Sequence, residues 1–300
     1  MKPLKLKPVY MKCIWAGNRL QKIRNLNEHG FGISREVCAY KNSENSIAEG
    51  GFAGKNIKEV IENHHEEIMG DDPNTQLIRV AYIDAAEDLS IQVHPNEEYA
   101  QKINDYEKSE SWYVLEADEG AYITAGVNIG DKAILRKAAE DGTLENYVNR
   151  VPVKQGDFVL IQNLPVLVVE IGSFGGITYR IYDYGRPRPL DLEKGFEALD
   201  INAKYEIKHF PLTQIQSNNC HVGVEHILFH ADVIDIENEM DILSNGQYYI
   251  LTCVKGNCVL QCEDELYNLS YTETIFVPAS SGNIKIKGRC RILKIYYPRR

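Results

Sequence analysis

Two short segments carry residues whose types and spacing could bind a metal ion. Residues 89–94 (Leu-Ser-Ile-Gln-Val-His) alternate apolar and polar side chains, which predicts a strand with Gln92 and His94 on one face. Glu110 begins a second predicted strand, residues 111–117, that could pair with the first. An imidazole and two oxygen donors would then lie together, as in many divalent metal sites. A half-buried strand with a polar outer face would give the same pattern.

The composition restricts the class of protein that positions these segments. The chain has 300 residues, enough for two domains, and its 44% hydrophobic and 25% charged content is typical of a globular protein. A net charge of −10 without basic runs argues against nucleic-acid or membrane-surface binding, so an anionic substrate would need a local cluster of Lys and Arg. The basic N-terminus lacks the apolar core of a signal peptide, and seven scattered cysteines fit reduced thiols. These features predict a cytoplasmic protein.

The pattern of apolar residues predicts a β-rich chain with few helices. A helix is expected over residues 57–69, ending at Gly70, and a helical insertion is expected near residues 131–150. Short strands bounded by turn residues recur in both halves, which favours jelly-roll barrels. Residues 1–35 are expected to form an irregular arm, and residues 185–205, with Pro187 and Pro189, to form a linker.

Motifs spread over nearly the whole chain can be compared with known families. They are Ile-Trp-Ala-Gly at 14–17, Leu-Ser-Ile-Gln-Val-His-Pro at 89–95, Lys-Ser-Glu-Ser-Trp-Tyr at 108–113, Gly-Asp at 156–157, Glu-Ile at 170–171, Thr-Tyr-Arg-Ile-Tyr-Asp at 178–183 and, near the C-terminus, residues 271–279 with Ile-Lys-Gly at 286–288. In these motifs the chain resembles the type I mannose-6-phosphate isomerases of the short bacterial form, which are zinc-dependent double cupins. The resemblance implies an all-β double cupin with a helical insertion and an N-terminal helix. It divides the chain into a catalytic-type cupin domain, residues 1–190, and a C-terminal cupin domain, residues 191–300.

The resemblance also implies roles for six residues. The implied ligands of a single Zn²⁺ ion are Gln92, His94 and Glu110, and the implied catalytic residues are Lys108, Glu170 and Arg180, with Lys108 and Arg180 also binding the substrate. The implied reaction interconverts mannose 6-phosphate and fructose 6-phosphate by metal-assisted proton transfer. The expected partner is therefore a small sugar phosphate, with neither nucleic acid nor membrane involved.

One ligand of the family is missing from this sequence. The family places a histidine after the Gly-Asp turn, whereas residues 158–169 contain none and form a shorter segment. The family's Gln-Gln and Asp are also replaced, by Gly-Ser at 172–173 and Gly176. The candidate replacements for the histidine are His209, His221, His226 and His230, which otherwise belong to strands and loops of the C-terminal domain. The alternative function is an impaired cupin that binds a sugar phosphate or a protein partner without turnover.

Overall fold

A computed structural model describes residues 1–160, 166–212 and 215–298 of the chain, and strands dominate it. The strands are β1 (Val9–Lys12), β2 (Phe31–Val37), β3 (Arg79–Asp84), β4 (Ile91–Val93), β5 (Glu110–Ala117), β6 (Tyr122–Val127), β7 (Val148–Pro152), β8 (Asp157–Leu160), β9 (Val166–Gly172), β10 (Tyr179–Tyr182), β11 (Glu206–His209), β12 (Asn219–His226), β13 (Phe229–Ile236), β14 (Glu239–Ile242), β15 (Tyr249–Cys262), β16 (Glu265–Ser270), β17 (Thr274–Val277), β18 (Ile284–Lys287) and β19 (Cys290–Tyr296). The helices are α1 (Arg19–Ile23), α2 (Ile57–Asn63), α3 (His65–Met69), α4 (Glu97–Lys102), α5 (Lys132–Glu140) and α6 (Leu192–Ala198), with 3-10 turns at Leu144–Tyr147 and Ala279–Ser281. None of the helices in these residues is long and apolar enough to cross a membrane.

The chain forms two compact units, and each is assembled from separate stretches of sequence. The first unit comprises Met1–Tyr10, Ser34–Tyr82 and Leu212–Arg300, and the second comprises Met11–Ile33 and Ile83–Pro211. The units interleave along the chain, whereas the predicted cupin domains are consecutive. The division after residue 190 therefore stays a prediction.

The first unit contains an antiparallel sheet in the order β12-β13-β19-β15-β18-β14, with β16 and β17 also paired to β15. Its core includes Leu251, Leu260 and Ile292, all fully buried. The predicted strands 247–254 and 258–262 are one continuous strand, β15. Within β15, Gly256 has a φ of +73°, and an added Cβ would lie 2.3 Å from the carbonyl oxygen of Arg289, so that only glycine fits.

The second unit contains the strands β9-β5-β8-β11 in that order and two antiparallel pairs, β4 with β10 and β6 with β7. One core cluster surrounds Trp112 and Val168. A second cluster packs α5 and α6 against the β4–β10 pair through Leu135, Phe196 and Ile91. The predicted helical insertion is thus α5 with its following 3-10 turn.

Three predicted elements differ from the structure. The helix expected over residues 57–69 is two helices, because His64 leaves the helical conformation with φ −136° and ψ 39°. Residues 1–35, expected to be irregular, contain β1, α1 and the start of β2. The linker expected over residues 185–205 contains α6, whose Gly195 packs directly on Ile181.

Candidate active site

The motif at residues 89–95 lies on the β4–β10 pair, where Gln92 is directly opposite Arg180. Residues that face each other across an antiparallel pair share one side of the sheet, so these two side chains are neighbours. The buried Ser90 hydroxyl links them: it accepts a hydrogen bond from Gln92 Nε2 at 3.0 Å and another from Arg180 Nε at 3.3 Å. A second Arg180 bond, from Nη1 to the Pro189 carbonyl oxygen at 3.0 Å, fixes the guanidinium orientation.

The motif at residues 108–113 lies next to His94, but not through the predicted pairing of two strands. The expectation that β4 pairs with the strand beginning at Glu110 is wrong, because β4 pairs with β10 and β5 pairs with β8 and β9. The chain instead turns through α4 after Pro95, and the Lys108 amide donates to the Pro95 carbonyl oxygen at 3.0 Å. That bond brings the start of β5 close to the end of β4.

Lys108 lies at the centre of the resulting cluster. Its ammonium Nζ is 2.9 Å from Glu110 Oε1 and 3.4 Å from His94 Nε2, and it donates to Thr178 Oγ1 at 2.6 Å. His94 Nε2 is also 3.4 Å from Glu110 Oε2. The side chains of Lys108, His94 and Glu110 are only 8%, 6% and 5% exposed, so water screens these contacts weakly.

Glu170 lies on β9, which pairs with β5, and it is on the same face of that sheet as Glu110. It lies opposite Trp112 on the β5–β9 pair, and the Trp112 indole N–H donates to Glu170 Oε2 at 3.3 Å. Because Glu110 and Trp112 are two residues apart on β5, Glu170 and Glu110 are diagonal neighbours on one face, about 7–8 Å apart at Cα.

Ser173, one of the residues that depart from the family pattern, and the nearby Gly175 hold residues 106–109 in place. The hydroxyl of Ser173 accepts from the Ser109 amide and donates to the Glu107 carbonyl oxygen, both at 2.8 Å. Gly175 approaches so closely that an added Cβ would lie 2.4 Å from the Tyr106 carbonyl oxygen. These contacts give Ser173 and Gly175 a structural role beside the candidate site.

A buried ion cluster follows Arg180 along the chain. Asp183 accepts from Arg188 Nε at 2.7 Å and Nη2 at 2.6 Å, and from Arg186 Nε at 3.0 Å. Burial alone would raise the pKa of Asp183, but the hydrogen bonds and charges of Arg188 and Arg186 outweigh it and lower the pKa. The cluster immobilises the turn that presents the Pro189 carbonyl oxygen to Arg180.

The donor atoms of His94 and Glu110 have a separation that suits a tetrahedral metal ion. Bonds of 2.0–2.2 Å to zinc place two tetrahedral ligands about 3.3–3.6 Å apart, and the two atoms here are 3.4 Å apart. Among residues 1–160, 166–212 and 215–298, no three His, Cys, Asp or Glu side chains form a group that could hold a metal, so a third donor must be of another type. The amide oxygen of Gln92 is such a donor, since its amide nitrogen is engaged by Ser90. The three side chains carry donor types that suit a Zn²⁺ ion.

The histidines considered as replacements for the missing ligand lie in other places. His209 belongs to the second unit, on β11, where it bonds Asp157 at 2.6 Å at the end of β8 away from Glu110. The other three, His221, His226 and His230, lie on β12 and β13 of the first unit. Part of the segment where the family carries its histidine, residues 161–165, lies outside the described residues.

The sequence alone predicts no role for Ser90 or Thr178. Ser90 stood out only as a polar position in an alternating strand, and Thr178 only as the first residue of the 178–183 motif. The hydroxyl of each meets a charged group from a distant part of the chain, Arg180 for Ser90 and Lys108 for Thr178. Such pairings have no signature in local sequence.

Comparisons with known proteins identify the family of the chain. A family model described as mannose-6-phosphate isomerase, cupin domain, matches residues 224–297. The mannose-6-phosphate isomerase ManA of Bacillus subtilis is 26% identical over 95% of this chain and 96% of its own. The mannose-6-phosphate isomerase of Streptococcus mutans is 30% identical over 97% of both chains. This chain belongs to the mannose-6-phosphate isomerase family.

Solved structures of mannose-6-phosphate isomerases share the fold over the full length. The crystal structure from Bacillus subtilis covers 99% of this chain and 100% of its own, with a TM-score of 0.87 and 25% identity. A mannose 6-phosphate isomerase bound with zinc and yttrium matches with a TM-score of 0.74 at 14% identity, which shows the fold alone. The predicted all-β double-cupin fold is confirmed.

Proposed function

We propose that this member of the mannose-6-phosphate isomerase family interconverts mannose 6-phosphate and fructose 6-phosphate in the cytoplasm. The observation that carries the proposal is the buried cluster of Lys108, His94 and Glu110, formed by the two motifs most specific to the family. The alternative, an impaired cupin that binds without turnover, is not favoured, because relatives named as isomerases match nearly the whole chain.

In this proposal Gln92, His94 and Glu110 hold a single Zn²⁺ ion. When bound, the ion acts as a Lewis acid toward oxygens beside the carbon that loses a proton. The family's fourth ligand is absent from residues 158–169, and three protein ligands are sufficient for a catalytic zinc site. Lys108 balances the charge of Glu110 and orients its carboxylate.

The isomerisation moves a proton between two neighbouring carbons of the open-chain sugar, which requires a group that accepts and returns it. Glu170 is suited to this step because the Trp112 indole holds its carboxylate at the side of the sheet that carries Glu110. A positioned acid–base group typically contributes about 10²–10⁴-fold in rate. Arg180 and Lys108 supply positive charge for the developing oxyanion and for the phosphate, against a net charge of −10.

The test is a coupled assay with mannose 6-phosphate, with and without added zinc, together with the metal content of the purified protein. We expect turnover and close to one zinc per chain. Less than about a tenth of an equivalent of metal and no turnover at saturating zinc would refute the isomerase proposal.

Substitution of the ligands tests the assignment of the site. Glu110→Gln and His94→Ala should each abolish turnover and lower the zinc content, since each removes one of three ligands. The matched control is Glu116→Gln, further along β5, where the side chain is 38% exposed and should be dispensable. Full activity in either ligand variant would contradict the assignment.

A further inference from the structure

The core-facing side of the sheet in the first unit changes character at one end. Ile234 and Ile236 of β13 and Ile292 of β19 belong to the buried core. Residues two apart on a strand share one side, so Asp232 and Lys294 continue these core-facing rows with charged groups. The two are directly opposite each other on the β13–β19 pair. Charged residues at core-facing positions cost stability, which is typical of a functional site, and the isomerase reaction gives these two no role.

The amine of Lys294 lies against aromatic rings and a backbone carbonyl. Its Nζ is 4.9 Å from the ring centroid of Tyr249 and 5.3 Å from that of Tyr296, and it donates to the Leu243 carbonyl oxygen at 3.4 Å. Tyr249 is 1% exposed, whereas Leu243 is 54% exposed and the lysine itself is half-buried. The amine is thus partly removed from water on one side and open to a reagent on the other.

The surroundings of Lys294 favour its neutral form. Burial lowers the pKa of Lys294, although the charges of Asp232 on β13 and Cys220 on β12 act in the opposite direction. A lowered pKa leaves a larger share of the amine unprotonated near neutral pH. A desolvated, unprotonated lysine amine is a nucleophile.

Asp232 is placed to serve as an acid beside this amine. Burial raises the pKa of Asp232, while the Tyr296 hydroxyl and the charges of Lys294 and His230 act in the opposite direction and Glu225 adds to the rise. Glu225 and His230 face each other on the β12–β13 pair, and the His230 ring lies 5.6 Å from the Tyr296 ring. A carboxyl group with a raised pKa keeps its proton to a higher pH and can donate it in a reaction.

We propose that Lys294 binds small aldehydes covalently, as an imine, at this end of the sheet. The amine nitrogen attacks the aldehyde carbon, and one amine proton passes to the carbonyl oxygen to give a carbinolamine. Asp232 protonates that hydroxyl, which leaves as water while a C=N bond forms, and the remaining proton on nitrogen returns to the carboxylate. The step needs neither oxidant nor reductant. The ring of Tyr296 and the exposed Leu243 offer apolar surface to the carbon chain of the aldehyde.

The experiment measures the rate at which each lysine of the full chain reacts with butanal near neutral pH. Aliquots are quenched at intervals with sodium borohydride, which reduces the imine to a stable amine, and peptide mass spectrometry locates the label. The internal control is Lys285 on β18, whose side chain is 36% exposed. The hydrogen bond and charge of Asp241 raise the pKa of Lys285, with a further contribution from the charge of Glu239.

We expect Lys294 to be labelled at least about tenfold faster than Lys285, because each unit of pKa changes the neutral share of an amine about tenfold. Labelling of Lys294 that is no faster than that of Lys285 would overturn the proposal. This comparison is made within the wild-type chain, so it does not depend on the folding of a variant. It is also independent of the isomerase activity.

Asp232→Asn distinguishes a built site from a lysine that is only easy to deprotonate. The substitution removes a negative charge that holds the proton on Lys294, so charge alone would make labelling faster. We expect labelling to become at least about threefold slower instead, because the leaving hydroxyl loses its acid. The matched control is Asp241→Asn, which should speed the labelling of Lys285 and leave that of Lys294 unchanged. An unchanged or faster rate at Lys294 in Asp232→Asn would overturn the part assigned to Asp232.

Discussion

Lys108 owes its fixed position to three partners of different chemistry. The carboxylate of Glu110 supplies charge, His94 supplies a ring nitrogen, and Thr178 supplies a hydroxyl oxygen. Removal of either charged residue would leave the other buried and unbalanced, which typically costs about 3–5 kcal/mol. Variants at Lys108 and Glu110 therefore mix loss of function with loss of stability. Thr178 is neutral, so its substitution separates the two effects.

Thr178→Val is expected to lower kcat/KM about tenfold while it leaves the fold intact. Valine has nearly the same shape as threonine but cannot accept the Lys108 hydrogen bond, and a bond to a charged group is worth about 1.5–3 kcal/mol. Thr178→Ser is the matched control, because it keeps the oxygen, and should retain most of the activity. The measurement is steady-state kinetics with mannose 6-phosphate beside a thermal melt. A loss in Thr178→Ser but not in Thr178→Val would show that the methyl group, and not the oxygen, matters.

At the scale of residues, the sequence predicts the proposed metal ligands and the charged members of the site, and it misses the hydroxyl residues. Gln92, His94 and Glu110 have types and spacing that indicate metal binding, and the family resemblance adds Lys108. The hydroxyl of Ser90 acts through a tertiary contact with Arg180, 90 residues away. Serine and threonine hydroxyls are common in every strand, so only the folded chain identifies the ones that act.

At the scale of elements, helix α6 determines where Arg180 lies. Arg180 is between Tyr179 and Ile181 on β10, and an added Cβ at Gly195 would lie 2.3 Å from Ile181 Cγ2 and 3.5 Å from Tyr179 Cβ. The helix rests on the strand that carries the arginine. The prolines and mixed polarity of residues 185–205 predict a linker. The helix is not predicted because its apolar pattern is too short.

Gly195→Ala should destabilise the protein, although alanine is normally the better residue inside a helix. The usual gain of about 0.5–1 kcal/mol is outweighed by an overpacking cost of typically 1–3 kcal/mol, since α6 must move away from β10. We expect the melting temperature to fall by a few degrees and kcat/KM to fall with it. Gly130→Ala is the control, because nothing lies within 4 Å of an added Cβ there. A rise in melting temperature at Gly195→Ala would contradict this packing.

The turn after β10 should make stability depend on acid through Asp183. Its pKa is lowered in the folded chain, because the two arginines outweigh the effect of burial, so the folded state favours the ionised carboxylate. This contribution is fully present above the unfolded pKa of about 3.9 and is lost as pH falls through the lower folded value. Asp183→Asn should thus be less stable than the wild type at pH 7, and the difference should shrink towards pH 3. The measurement is thermal melts of both proteins across this pH range. A difference in stability that does not change with pH would refute the idea.

At the scale of the whole molecule, each compact unit is built from stretches that are separate in sequence. The apolar pattern predicts strands in both halves, and a division after residue 190 follows from reading them consecutively. In the structure, residues 34–82 belong to the compact unit that contains the C-terminal strands. Leu4 and Phe276 exchange backbone hydrogen bonds of 2.8 and 3.1 Å, and Gly70 bridges Gln247. Contacts across more than 170 residues of sequence leave no local pattern from which they could be predicted.

Deletion of residues 212–300 distinguishes interleaved units from consecutive domains. In a chain that ends at residue 211, Leu4 and Gly70 lose their backbone partners, and α2 and α3 lose the core of their unit. Fully buried Ile57 and Ile68 would then be exposed to water. We expect proteolysis within residues 34–82 to become at least about tenfold faster than in the full chain, because cleavage follows the population of the open form. If residues 34–82 remain as protected as in the full chain, an N-terminal stretch that includes them folds by itself and the consecutive division is supported.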